Sequence, residues 1–172
     1  MTVEQPPDLA TPVDSLADLA VAHWVNLVGL ASLLLRDRAQ AEDVVQDAVV
    51  KCLRGRPQLR DTAAGLAYLR AAVLNGARSG LRRRALVHRH DAQPVVDAPG
   101  ADEGALASVQ RDAVVEALRD LPRRQREAVV LRFWADATEK QAAQAMGVSV
   151  GAVKAYTSRG LAALAISLKE DA

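Results

Sequence analysis

Residues Glu139 to Ser158 read EKQAAQAMGVSVGAVKAYTS, with the spacing of two short helices that cross at a tight turn. The unit needs a small residue at the crossing (Ala143), a glycine able to take positive φ at the turn (Gly147), and apolar residues that pack the pair. Ala142, Met146, Val148, Val153 and Tyr156 supply the packing. Upstream, Thr138 with Gln141 forms a capping box that opens the first helix, and Ser149 caps the second, which runs to about Leu168. In such a helix-turn-helix the second helix enters the major groove of DNA while a neighbouring helix crosses the phosphates. Ser149, Gly151, Ala152, Lys154, Ala155, Ser158 and Arg159 point away from the packing face. The small ones permit close approach, and Lys154 and Arg159 are candidates for base or phosphate contact. A plain helical hairpin with solvated Lys and Arg is the rival, and the complete spacing pattern favours DNA binding over it.

Working back toward the N-terminus, Val109, Ala113, Val114, Ala117, Leu118 and Leu121 make an amphipathic helix after Ser108. Pro122 suits the first turn of the next helix, which carries Ala128, Val129, Leu131, Phe133 and Trp134 to about Ala135. Its start, Arg123-Arg124-Gln125-Arg126, can neutralise backbone charge on a nearby nucleic acid. Before this, from about Ala92 to Ala107, Pro94, Pro99, Gly100 and Gly104 stand among Asp97, Asp102 and Glu103, and hydrophobic periodicity is lost. A linker fits that composition better than a loop inside one compact bundle.

The N-terminal half is helical as well. Leu16, Leu19, Ala20, Leu27, Leu30, Ala31 and Leu34 predict one helix over 15–35. Asp37 with Gln40 is a capping-box variant before a helix to about Leu53, which turns Ala41, Val44, Val45, Ala48 and Cys52 to one face. Glu42, Asp43, Gln46 and Asp47 lie on or near the other face. Asp61 or Thr62 caps a third helix bearing Leu66, Leu69, Val73, Leu74 and Ala77, which Gly80 is expected to end before a basic tail. From Arg78 to His90 that stretch holds Arg78, Arg82, Arg83, Arg84 and Arg89 and no acidic residue, whereas a solvated helix face mixes signs.

Of the 172 residues, 50% are hydrophobic and only 3% aromatic, so the core must be built from Ala, Leu and Val, which favours packed helices over a sheet sandwich. The fold class expected is all-α: a tail over 1–14, a helical domain over 15–91, a linker over 92–107, and a second helical domain over 108–172. With 22 basic and 21 acidic side chains the net charge of +1 points to no polyanion, so the local arginine clusters carry that signal. Cys52 stands alone and His23, His88 and His90 show no metal-binding spacing, so neither disulfide, structural metal nor other cofactor is expected. The uncharged run from Leu19 to Leu35 is broken by His23, Asn26 and Ser32 and lacks a basic flank. A core helix fits it better than membrane insertion.

Leu118 to Glu127, Thr138 to Ala143, Met146 to Ser149 and Gly151 to Lys154 together resemble the fourth conserved region of bacterial sigma factors. Ala41-Glu42-Asp43-Val44-Val45-Gln46-Asp47-Ala48 resembles the polymerase-binding helix of the extracytoplasmic-function group. Tyr68-Leu69, Asn75 and Arg82-Arg83-Arg84 resemble its minus-ten region. Ala67-Tyr68-Leu69-Arg70 and Asn75-Gly76-Ala77-Arg78-Ser79 look closest to the short actinobacterial type.

The resemblance implies a cytoplasmic, dissociable subunit that binds core RNA polymerase and promoter DNA and catalyses nothing itself, with an anti-sigma factor as the usual control. It places Glu42, Asp43, Gln46 and Asp47 against the polymerase. Tyr68, Asn75, Arg78, Arg82, Arg83 and Arg84 go to the minus-ten element. Arg123, Arg124, Thr138, Ser149, Gly151, Ala152, Lys154, Ala155, Ser158 and Arg159 go to the minus-thirty-five element. Tyr68 departs from the Trp that members often carry there. An enzyme lacks any nucleophile–base pair or P-loop to stand on, and a free-standing helix-turn-helix regulator, the alternative function, would not need the Ala41 to Ala48 motif.

Overall fold

Leucine and alanine spaced three and four apart along most of the chain leave each helix with an apolar stripe that water disfavours, and the stripes meet in the interior. The computed structural model describes residues 16–35, 37–55, 61–87 and 105–170, without the side chains of 84–87, 105–111 and 170. All of their regular structure is helical: α1 (Leu16–Ala22), α2 (Trp24–Leu35), α3 (Arg38–Gly55), α4 (Thr62–Val87), α5 (Ala105–Asp120), α6 (Arg123–Val129), a π-helical turn (Val130–Trp134), α7 (Glu139–Met146) and α8 (Val150–Glu170). The expected tail over 1–14, the linker up to residue 104, Pro57 to Arg60, His88, His90 and the Arg84 side chain lie outside the described residues. Helix α5 already begins at Ala105, so the last residues assigned to the linker are its first turn.

In the first half, Leu19, Leu27, Leu30, Leu35, Val45, Leu69, Val73 and Leu74 form the core where α1 to α4 meet. Each such side chain, fully buried, contributes about 1.5–3 kcal/mol. The single helix expected over 15–35 is two, bent by 69° at His23. Leu16, Leu19, Leu27, Leu30 and Leu34 would line one face of a straight helix too, so periodicity holds no sign of the bend; it wraps the segment around α3 and α4. Neither piece, nor any other single helix among the described residues, is long and apolar enough to cross a membrane; only the bent pair passes by length and composition.

Helix α3 starts with half a capping box: Asp37 accepts from the Gln40 amide at 3.2 Å, but Gln40 Oε1 is buried without a hydrogen bond instead of returning to the cap. Asp61, not Thr62, caps α4, accepting from the Ala64 amide at 2.7 Å. Gly80 does not end α4. The helix passes through it to Val87, at a helix-propensity cost of about 1 kcal/mol relative to alanine. The helix runs beside α2 at this point, where a Cβ at Gly80 would meet Leu35 at an ordinary contact distance of 3.5 Å. Arg82 and Arg83 therefore project from a helix instead of a tail.

In the second half, Leu118, Leu121, Ala128, Leu131, Ala142, Met146 and Val153 make the core. Pro122 sits at the N-cap of α6, one position before the expected first turn. The backbone then widens: Ala135 donates to the Val130 carbonyl five residues back, at 3.1 Å. Phe133 and Trp134, counted among the apolar residues of this helix, fall in the π turn and are 63% and 46% exposed. The two halves meet where α4 lies against α7 and α2 lies against the π turn and α5.

Candidate functional site

Successive turns of α3 carry Asp43, Gln46 and Asp47 at i, i+3 and i+4, so one helical face presents all three to solvent. Glu42 is half-buried and pairs with Arg38 at 3.4 Å, an exposed contact of small energetic weight. Across from this face runs α4, and between them opens a cleft of about 580 Å³. Asp43, Gln46 and Asp47 line one wall; Asn75, Ser79 and Arg83 line the other. Sequence reasoning separated these residues into two sites, and the fold brings them into one.

It also adds Lys51 and Ser79 to the cleft, neither of which was among the candidate site residues, although Ser79 closes one of the quoted motifs. Lys51 stands one helical turn beyond Asp47 and Ser79 one turn beyond Asn75, and that i+4 spacing was the available signal. Ser79 Oγ donates to the Asn75 carbonyl at 3.0 Å and accepts from Arg82 at 3.2 Å. Arg82 and Arg83 are exposed. Tyr68 is 41% exposed and does not line the cleft; its hydroxyl lies beside Gly55 at the end of α3.

Arg78 turns away from the cleft altogether. Its guanidinium makes two bonds of 2.8 and 2.7 Å to Glu127 of α6. Glu127 is 2% exposed, and Arg124 and Arg123 approach the same carboxylate at 3.4 and 3.8 Å. Arg124 also donates to the Met146 carbonyl at 3.1 Å. Arg126, grouped in sequence with the cluster that meets phosphates, is buried and donates to the Arg119 carbonyl at 3.0 Å, so it holds α6 to α5 instead.

The helix-turn-helix is assembled by local chemistry. Gln141 N–H donates to Thr138 Oγ1 at 3.2 Å, and Thr138 N–H donates to Gln141 Oε1 at 2.8 Å, completing the capping box. Gly147 ends α7 at φ 66°, ψ 42°, where a side chain would strain the backbone. Ser149 accepts from the Ala152 amide at 3.1 Å and starts α8. Gly151, Lys154, Ser158 and Arg159 are exposed on α8, with Ala152 and Ala155 half-buried between them. Lys154, 62% exposed, lies 3.4 Å from Glu139. Val150, which the sequence did not single out, is exposed at the first turn of the same helix. Cys52 is buried on α3, and burial pushes its thiol pKa up. No cluster able to hold a metal ion occurs among the described residues.

A helical half with an acidic–amide face beside a basic helix, followed by a half ending in a helix-turn-helix, is the arrangement of a helix-turn-helix DNA-binding protein. Residues 20–87 match the Sigma-70 region 2 family and residues 111–164 match Sigma-70, region 4. The ECF RNA polymerase sigma factor SigM of Mycobacterium tuberculosis is 36% identical over 147 residues, which cover 83% of this chain and 71% of SigM. The RNA polymerase sigma-E factor of Streptomyces avermitilis is 31% identical over 140 residues, 80% of this chain and 76% of that one. Among solved structures, the sigma factor RpoE in complex with the anti-sigma factor NepR from Bartonella quintana superposes with a TM-score of 0.74. That alignment covers 89% of this chain and 96% of RpoE at 23% identity, a likeness of fold. The chain belongs to the sigma-70 family, in its extracytoplasmic-function group. It is an RNA polymerase sigma factor, directing transcription initiation with core polymerase at promoter DNA.

Proposed function

We propose a division of this activity between the halves. Residues 15–91 bind core polymerase through Glu42, Asp43, Gln46 and Asp47 and engage the minus-ten element. Residues 92–107 are the linker, and 108–172 read the minus-thirty-five element. The observation that carries the first assignment is the shared cleft: Asn75 faces Asp43, Gln46 and Asp47 across it. Polymerase docking on α3 then adjoins the place where an unpaired base enters. An amide reads a base edge, Lys51 supplies charge for its phosphate, and Tyr68 offers an aromatic face nearby. Arg82, Arg83 and Arg84 contact duplex phosphates, and Arg78 joins them when released from Glu127.

In the second half, Ser149, Gly151, Ala152, Lys154, Ala155, Ser158 and Arg159 form the face toward the major groove. Arg123, Arg124 and the cap residue Thr138 lie toward the backbone. The exposure of Lys154 and Arg159 supports that orientation. The chain performs no chemistry of its own and works in the cytoplasm, where polymerase and promoter are. RpoE and CnrH, its structural relatives, are bound by the anti-sigma factor NepR and the cytosolic domain of CnrY. An anti-sigma protein is the regulatory partner that this supports. The test is transcription from a cognate promoter with purified chain and core polymerase, alone and combined. Start-site-specific transcript is expected only from the combination, and Asp43→Arg should abolish it. Promoter occupancy as a dimer that survives without polymerase would favour a free-standing regulator instead.

A further inference from the structure

The two helices that carry the walls of the cleft touch at its floor, where Gly76 of α4 lies against Val44 of α3. The approach is close. A Cβ added at Gly76 would fall 2.8 Å from Val44 Cγ1, with the Val44 carbonyl oxygen and Cβ behind it at 3.8 and 3.9 Å. Carbon atoms in ordinary contact stand about 3.5–4.0 Å apart, so a side chain at 76 must move the helices apart by roughly 1 Å. Val44 has little room to turn aside, because a β-branched side chain in a helix is held to one preferred rotamer and this one packs against the core.

Ala72, Gly76 and Gly80 are small residues one helical turn apart, and all three line the cleft. The two glycines are not equivalent. A Cβ at Gly80 would meet its nearest neighbour at 3.5 Å, an ordinary contact, whereas at Gly76 it would collide. A helix interior disfavours glycine relative to alanine, and at position 76 the close approach supplies a reason for it.

The place of this contact in the chain ties it to the cleft. Val44 directly follows Asp43 and lies within one turn of Gln46 and Asp47; Gly76 directly follows Asn75. Packed interiors transmit displacement, so the separation at this contact sets the separation of the walls. We propose that Gly76 is a positioning residue: lacking a side chain, it lets α4 rest on Val44 and places Asn75 where it meets the unpaired base while α3 is docked on polymerase. This rests on the roles given above to the two walls. Gly76 itself contacts neither polymerase nor DNA and acts through the wall beside it.

The experiment uses the full chain with core polymerase on a promoter fragment selected from random duplex by transcription with the wild-type holoenzyme. It compares wild type with Gly76→Ala, Val44→Ile, Asn75→Ala and the double variant Val44→Ala/Gly76→Ala, after circular dichroism confirms that each is helical. Gly76→Ala should slow promoter opening, followed by permanganate reactivity, about tenfold, within the roughly hundredfold that a 1 Å misplacement can cost. Affinities for core polymerase and for a non-specific duplex should stay within about twofold of wild type, because α3 and the exposed arginines are intact. Val44→Ala removes the obstructing branch, so the double variant should regain an opening rate within about threefold of wild type. Val44→Ile enters the same contact from the other side and should also slow opening, which keeps the test valid if Gly76→Ala does not fold. Opening at the wild-type rate in both single variants overturns the proposal. So does a Gly76→Ala chain that loses polymerase and duplex binding as much as opening, which would make the residue part of the fold alone, or a double variant that stays as slow as Gly76→Ala. If Asn75→Ala opens promoter normally while Gly76→Ala is slow and rescued, the spacing role stands and only base capture by Asn75 falls, so the two readings fail separately.

Discussion

The α3–α4 cleft and the arginine cluster around Glu127 both draw polar side chains from α4, yet they are organised in opposite ways. In the cleft, Asp43, Gln46, Asp47, Asn75 and Arg83 are exposed on two facing walls. Around Glu127 the arginines converge on one buried carboxylate. Arg78 and Arg83 are five residues apart on one helix, of one chemical type, and both resemble DNA contacts in sequence. Only the second half of the chain, by placing Glu127 beside α4, separates an arginine committed to the fold from one left in water. The comparison teaches that the same residue type is free to meet a phosphate in one place and must first leave an internal carboxylate in the other.

The sharpest way to break that contrast is at the cleft. Asp43→Arg should leave helicity unchanged, because Asp43 is exposed, and weaken association with core polymerase at least about thirtyfold, as 2 kcal/mol or more lost at an interface implies. Co-purification at wild-type level would remove this wall from the docking surface. The opposite wall is predicted to matter less: Asn75→Ala should slow open-complex formation about fivefold, the worth of one net hydrogen bond of ~1 kcal/mol, and spare closed-complex binding. Equal losses in both steps, followed by permanganate footprinting, would argue against base capture there.

On the helix-turn-helix, Lys154→Ala should lower the salt dependence of duplex binding by about 0.9 in log–log slope. Its exposed pair with Glu139 is worth at most about 1 kcal/mol, so the unfolding midpoint should hardly move. A slope equal to wild type would leave Lys154 without a phosphate.

Cys52 gives the smallest effect. Its pKa is raised by burial, so the folded chain keeps a proton that the unfolded chain releases. That contribution to stability is complete below the ordinary thiol value of ~8.5 and is lost as pH rises toward the raised folded value. Iodoacetamide at pH 8 should modify native Cys52 much more slowly than the denatured chain; equal rates would place the thiol in solvent.

Local chemistry explains what could be read in advance. Thr138, Gln141, Gly147 and Ser149 act within four residues of themselves, so the caps and turn of the helix-turn-helix follow from spacing alone. The polar face of α3 is equally local, since helical geometry puts Asp43, Gln46 and Asp47 together wherever α3 forms. The misses are all non-local. The bend at His23 keeps the phase of the apolar stripe. Gly80 looked like a stop because propensity favours one, yet α4, packed on α2 and α3, continues through it. Phe133 and Trp134 were read as part of a continuous α-helix, and the structure puts them, exposed, in a π turn.

What the sequence by itself determined is the set of helices, their caps, their apolar stripes and two sigma-like motif sets in order, because these depend on neighbours three or four residues away. Only the tertiary structure decided that Asn75 and Asp43 share a cleft, that Arg78 meets Glu127 across 49 positions of chain, and that Trp134 rests on Gly29. Such contacts depend on where distant backbones come to lie, and no periodicity along the chain encodes that distance.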